Sequence, residues 1–341
     1  MILAGDVGGT KTHVGCLTAD GGKLSLVAQE SFPSGDYPGL EVIVERFLAA
    51  HPCRVSSVCF GVAGPVEQGR CHTTNIPWVV DAQSLRRALG CKAAWLINDL
   101  EAMAYGLLTL PRSAFVTLNA GQARSHGTIA VIAAGTGLGE AALVWDGERY
   151  RAVASEGGHA DFAPRNELQI ELLRHLMKRF GRVSYERILS GPGKVSIYRF
   201  LKEAGYGKEP AWLATRLAQG DPSPVISEMA LNGRSALCAK ALALFVSVYG
   251  AEAGNLALKY LPHGGVYVGG GIAPTILPFL QDGTFLQAFS QKGRMSPLLS
   301  AMPVRVILEP RTPLFGAAHY AMLQGTGVRS RTKLVRAAAR A

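Results

Sequence analysis

The chain has 341 residues, 48% of them hydrophobic and 18% charged, which suffices for a large apolar core shared between about two domains and excludes a disordered or fibrous protein. Its six cysteines (Cys16, Cys53, Cys59, Cys71, Cys91, Cys238) form no CxxC pair, and no signal peptide precedes the first strand, so a reducing cytoplasm is expected rather than a disulfide framework. The formal net charge is +10, but Arg329, Arg331, Lys333, Arg336 and Arg340 place half of it in residues 328–341, which read as a disordered basic tail; with no basic patch elsewhere, nucleic acid is not an expected partner.

In chain order, residues 1–5 read as a buried strand, Asp6-Val7-Gly8-Gly9-Thr10-Lys11 as a turn, and the alternating stretch through Leu17 as the return strand of a hairpin. A helix over Leu40–Ala50, a strand over Ser57–Val62 and the loop Ala63-Gly64-Pro65 follow. The polar-aromatic run Thr73-Thr74-Asn75-Ile76-Pro77-Trp78 precedes a helix over Ala82–Leu89, and a strand over 94–97 ends at Asn98-Asp99. A second round begins near Arg112. A strand over 114–118, an apolar run over 128–134, the turn Gly135-Thr136-Gly137-Leu138-Gly139 and a return over 141–145 repeat the opening layout. Helices are expected at 166–180, 184–189, 194–204, 237–260 and 314–323, and strands at 265–268 and 304–308. The apolar stretch 241–258 is long enough to raise a membrane span, but Glu252 and Asn255 inside it favour a buried core helix, and no membrane is expected as a partner. The expected domains are 1–109 with about 309–327, and 110–308.

Glycine makes up about 12% of the chain against a usual ~7%, and it clusters, which signals backbone turned sharply or brought close to something. A turn of successive glycines exposes N–H groups to phosphate oxygens, with a hydroxyl from Thr10 or Thr136 and, at Asp6, a carboxylate suited to magnesium through water. No GxxxxGK[ST] motif occurs, so neither turn is a Walker loop. With a third run, Gly269-Gly270-Gly271, after a buried strand, the turns suggest a nucleotide. Asp99 is either a helix N-cap or a base at the carboxyl edge of a sheet. Ser155-Glu156-Gly157-Gly158-His159 fits a metal site, an acid/base pair, a polar clamp or a plain turn.

Asp6-Val7-Gly8-Gly9-Thr10, Gly135-Thr136-Gly137-Leu138-Gly139 and Gly264 to Gly271 resemble the two phosphate motifs and the adenosine motif of the actin, hexokinase and heat-shock chaperone ATPases. Ile97-Asn98-Asp99-Leu100, the stretch Glu156 to Pro164 and the stretch Ser184 to Gly193 resemble, more narrowly, the bacterial ATP-dependent glucokinase family, in order from residue 1 to about 323. The resemblance implies two ribonuclease-H-like (actin-like ATPase) α/β domains with an interdomain cleft, and transfer of the γ-phosphate of ATP to the 6-hydroxyl of glucose. It implies that Asp99 takes the hydroxyl proton and that Asn98, Glu156, His159 and Glu186 bind the other ring hydroxyls. Asp6 would position Mg2+, while Gly8, Gly9, Thr10, Gly135, Thr136, Gly137, Gly269 and Gly270 would hold ATP; a homodimer is also implied.

The nearest alternative is the ROK group of sugar kinases and repressors, whose related histidine typically belongs to a zinc site with cysteines shortly downstream; residues 160–193 contain no cysteine. A kinase for fructose, mannose or an amino sugar is a second alternative, and a non-catalytic actin-like sugar-sensing ATPase a third. The joint presence of Asp99, Glu156, His159 and Glu186 favours an active kinase. Glu140 departs from the expected pattern by placing an acid directly after the second glycine turn.

Overall fold

The computed structural model describes the backbone of residues 1–73 and 76–338, with side chains through 325; Thr74 and Asn75 of the polar-aromatic run lie outside the described residues. The chain divides into two compact units, Met1–Arg112 with the segment from Arg311 onward, and Ser113–Pro310.

In the first unit, β1 (Ile2–Val7), β2 (Lys11–Asp20), β3 (Lys23–Pro33) and β4 (Ser57–Val62) are followed by β5 (Val66–Glu67), β6 (Arg70–His72), β7 (Val79–Asp81) and β8 (Ala93–Asn98). The main sheet has the order β3-β2-β1-β4-β8: β1 runs antiparallel to β2 and parallel to β4, and β4 parallel to β8. Edge strand β3 was not expected. It alternates exposed and half-buried residues, so it lacks the apolar run that marked β1 and β4. β5, β6 and β7 form a separate small sheet of strands only two or three residues long, too short to leave a periodic signal.

Leu3, Val14, Phe47, Phe60, Val62 and Leu85 fill the core of this unit. α1 (Leu40–Ala50) and α2 (Ala82–Leu89) contribute to it, α2 being capped by the Asp81 carboxylate at one end and by left-handed Gly90 at the other. α3 (Asp99–Leu107) packs on the carboxy-terminal helix Thr312–Ala338. The approach is close because glycines line it: a Cβ on Gly316 would overlap the Ala102 carbonyl, and one on Gly106 the Thr312 carbonyl. This helix takes in most of the stretch expected as a disordered tail, while its side chains from 326 onward, the five basic tail groups among them, lie outside the described residues.

The second unit repeats the plan. Its strands are β9 (Phe115–Asn119), β10 (Ile129–Ala134), β11 (Leu138–Trp145), β12 (Tyr150–Ser155), β13 (Gly265–Gly269) and β14 (Val304–Ile307), in the order β12-β11-β10-β13-β14-β9. As in the first unit, an antiparallel triple passes into parallel strands, with β10 parallel to β13 and β13 to β14. α4 (Glu167–Phe180), α5 (Gly191–Glu203), α6 (Ala211–Ala218), α7 (Pro222–Leu231) and α8 (Ala236–Tyr260) surround this sheet. Among the described residues α8 alone is long and apolar enough to cross a membrane, and 72% of its most apolar window is buried within the protein, which makes it a core helix here.

One expected helix is absent. Residues 184–189 hold only the 3-10 turn Tyr185–Arg187, because Ser184 bridges to Asp161 in extended conformation and Ser190 caps the next helix, leaving no room for a second turn. Each sheet, a three-stranded meander leading into parallel strands, is the ribonuclease-H-like arrangement, and its duplication gives the two-domain actin-like ATPase fold.

Candidate active site

In the first unit the strand registers bring two acids to one edge. Asp6 near the end of β1 pairs with Gly61 on β4, and the next residue of β4, Val62, pairs with Asn98 on β8. Asp6 and Asp99 therefore emerge at the carboxyl edge of parallel strands, two strand spacings or about 10 Å apart, where α/β proteins bind ligands. Gly61 between them has no side chain, and a Cβ there would collide with that of Ala102 on α3.

The structure settles which residue caps α3. Asn98 is the N-cap: its side chain accepts from Leu100 N at 2.9 Å, and its own N–H donates to Glu101 Oε2 at 3.0 Å, completing a capping box. Asp99 lies one position inside the helix, with Oδ1 accepting from Leu100 N at 2.9 Å. The cap alternative for Asp99 is thereby corrected, because the preceding amide already fills it. Asn98 Nδ2 donates to the Gly64 carbonyl at 3.2 Å, so one amide hydrogen is committed to the fold, while the other has no partner among the described residues.

The first glycine turn is closed by Gly8 N donating to Lys11 O at 3.0 Å, leaving Thr10 exposed. Ser34 braces it from the far end of β3: its Oγ donates to Gly8 O at 2.8 Å and its N–H to Thr10 O at 3.0 Å, with Thr12 Oγ1 3.0 Å from Ser34 Oγ. Sequence reading missed Ser34 because it stands more than twenty residues beyond the turn, in the 3-10 turn just past a strand that had left no signal. Burial, and then the charge of Asp99, push the Asp6 carboxyl up to about 7. Asp6 forms no ion pair with Lys, Arg or His among the described residues. The Asp6 carboxylate is a hard oxygen donor that magnesium would suit, and the ion would offset its charge.

In the second unit Glu156, His159 and Glu186 come together. His159 Nε2 lies 3.9 Å from Glu156 Oε2 and its Nδ1 3.9 Å from Glu186 Oε1. Glu186 Oε2 also accepts from Leu138 N at 3.1 Å, tying this group to the second glycine turn. Glu156 and His159 are exposed and Glu186 is half-buried, so all three can meet a ligand. Gly157 and Gly158 are required for closeness rather than for unusual torsion. The turn Gly157–His159 is a single 3-10 turn without positive φ, but a Cβ on Gly157 would overlap Glu140 Oε2 and one on Gly158 the Leu138 carbonyl.

The two remaining glycine motifs meet on β10 and β13. Gly135 N donates to Gly137 O at 2.9 Å, and Gly191 N at the start of α5 donates to Gly135 O at 2.9 Å. Thr136 is exposed at the tip. Gly270 has φ +81 and packs where a Cβ would strike Ala134 O. Beneath both, the fully buried Tyr249 hydroxyl accepts from Ala134 N at 3.1 Å and lies 3.3 Å from Gly269 O. Sequence reading placed Tyr249 in an apolar helix and had no signal for its hydroxyl.

Two exposed phosphate-type turns on duplicated ribonuclease-H-like units, one beside a pair of acids and one beside a polar cluster suited to hydroxyls, define the class as a kinase of the actin-like ATPase fold. Comparison with known proteins narrows it. The sequence model of the family described as Glucokinase matches residues 3–324. A glucokinase of Trichormus variabilis is 43% identical over 334 residues, covering 93% of this chain and 98% of that protein. The crystal structure of glucokinase from an Antarctic psychrotroph superposes with a TM-score of 0.80 at 33% identity, covering 94% of this chain and 98% of the other. A ROK family glucokinase from Streptomyces griseus, solved with glucose and AMPPNP, shares the fold with a TM-score of 0.66 at 22% identity, covering 94% and 99%. The chain belongs to the glucokinase family and is an enzyme.

Proposed function

We propose that the chain transfers the γ-phosphoryl group of ATP to the 6-hydroxyl of glucose, in the cytoplasm, with Asp99 as the general base. The observation that carries this reading is the cluster Glu156, His159 and Glu186, bonded through Glu186 to the glycine turn at Leu138 N. Carboxylates and an imidazole complement sugar hydroxyls, each both donor and acceptor, and the uncommitted Asn98 amide hydrogen adds another partner. Asp99 takes the proton from the 6-hydroxyl, O6 attacks the γ-phosphorus, and the bond to the ADP oxygen breaks. Backbone N–H groups and the Thr10 and Thr136 hydroxyls of the first and second glycine turns hold the ATP phosphates, and Gly269 and Gly270 form the adenosine contact. Asp6 would hold magnesium through water; when bound, the ion neutralises charge on the transferring group.

A coupled assay for glucose 6-phosphate, run with glucose, fructose, mannose and glucosamine against ATP, ADP and polyphosphate, tests the reading. Turnover dominated by glucose and ATP is the expected result; ATP hydrolysis that ignores the sugar, with no sugar phosphate formed, would overturn it.

A further inference from the structure

Glu140 stands out twice, as an acid directly after a glycine turn and as a charged side chain only 1% exposed. It faces Glu252 of α8, which is wholly buried, and the two carboxyls lie within interaction range of each other. Two carboxylates both lack a hydrogen, so they can bond each other only where one of them carries a proton. Each also keeps an Oε1 without a hydrogen-bond partner among the described residues, the mark of an acid pair buried without a full set of donors.

The pair touches both turns of the polar cluster. Glu140 Oε2 lies against Gly157, between Glu156 and His159. Glu252 Oε2 accepts from Asn255 Nδ2 at 2.7 Å, and the same Nδ2 is 3.0 Å from the hydroxyl of Tyr185, the neighbour of Glu186. Burial, and then the charge of Glu252, hold the Tyr185 phenol well above its usual range. The charged groups facing the pair are Lys259, with Nζ 3.8 Å from Glu252 Oε1, and Lys292, whose Nζ bonds Asn255 Oδ1 at 2.5 Å and is itself pushed down to about 8 by burial and then by Arg165. Tyr249 on α8 also feels Glu140.

We propose that Glu140 and Glu252 are a proton-sharing pair of positioning residues that holds the Gly157–His159 and Tyr185–Arg187 turns in register, so that losing the shared proton weakens sugar binding without slowing phosphoryl transfer. This rests on the reading of those turns as the sugar clamp. With the proton gone, two negative carboxylates face each other in a buried site, and the available relief is to move apart, shifting Gly157 on one side and Tyr185 on the other. Burial, then the charge of Glu252, raise the Glu140 carboxyl to about 8, so the proton is present at neutral pH and leaves above it.

The test follows the glucose KM and kcat of the full chain between pH 7 and 9 for wild type and Glu140→Gln. Wild type should show KM rising about tenfold across that interval with kcat nearly level, as a group titrating midway requires. Glu140→Gln, which keeps a hydrogen-bonding amide and cannot ionise, should hold KM flat. The same alkaline rise in both, or a rise carried by kcat, would overturn the proposal. Infrared difference spectra provide a second readout: a protonated-carboxyl stretch at pH 7 that fades by pH 9 in wild type and is missing from Glu140→Gln is expected on top of any band from Asp6, and a band that the substitution leaves unchanged would overturn the pairing. If His159→Ala and Glu156→Ala leave glucose KM unchanged, the clamp reading fails and the sugar-binding consequence with it, whereas the infrared band still separates that failure from a failure of the pair.

Discussion

At the scale of single residues, Asp99 and Asn98 are neighbours with separable roles. Because Asn98 caps α3, Asp99→Ala should leave the helix folded and glucose binding intact while turnover drops by ~10²–10⁴-fold, measured by steady-state kinetics and by calorimetric titration with glucose. Asn98→Ala should instead lose about 1 kcal/mol of stability through the broken capping box, read as a lower melting temperature. On the proposed reading of His159 as a partner of the sugar, His159→Ala should raise glucose KM roughly tenfold with a smaller effect on ATP, as a group contributing about 1–2 kcal/mol would. The identities of these residues were legible because each carries chemistry a core does not need. What Asn98 does with its amide was not, since capping and sugar binding call for the same residue type and only the bonds to Leu100 and Gly64 distinguish them.

At the scale of elements, local pattern and tertiary constraint diverged where strands were short or half-exposed. The hairpins β1–β2 and β10–β11 were readable because apolar strands flank turns rich in glycine. β3 and β12 were not, since each lies at a sheet edge with alternating exposed residues and few that are fully buried. The crossing of α3 with the carboxy-terminal helix depends on Gly106 and Gly316, two residues that lower helix propensity and that composition alone would count against both helices. Gly316→Ala is therefore expected to destabilise by ~1–3 kcal/mol in chemical denaturation despite its better propensity, because the added Cβ meets the Ala102 carbonyl.

At the scale of the whole molecule, the buried acid of the second unit should leave a mark on stability as well as on binding. The folded Glu140 carboxyl titrates above its unfolded value, so the folded state holds a proton that the unfolded chain releases; stability is full below about 4.5 and declines as pH rises toward about 8. Melting temperatures should fall over that range in wild type and fall less in Glu140→Gln. Residues 328–341 lie beyond the family match at 324, and deleting them should leave kcat/KM unchanged. By itself the sequence determined the glycine turns, the acids beside them and the repeated strand–turn–strand plan, because turn torsion and hydrogen-bonding chemistry are properties of a few adjacent residues. Only the tertiary structure decided that Asn98 rather than Asp99 caps α3, that Ser34 and Tyr249 brace the turns, and that Glu140 meets Glu252. Those outcomes depend on partners brought together from distant elements, and the cost of burying a polar group is set by the neighbour it finds there.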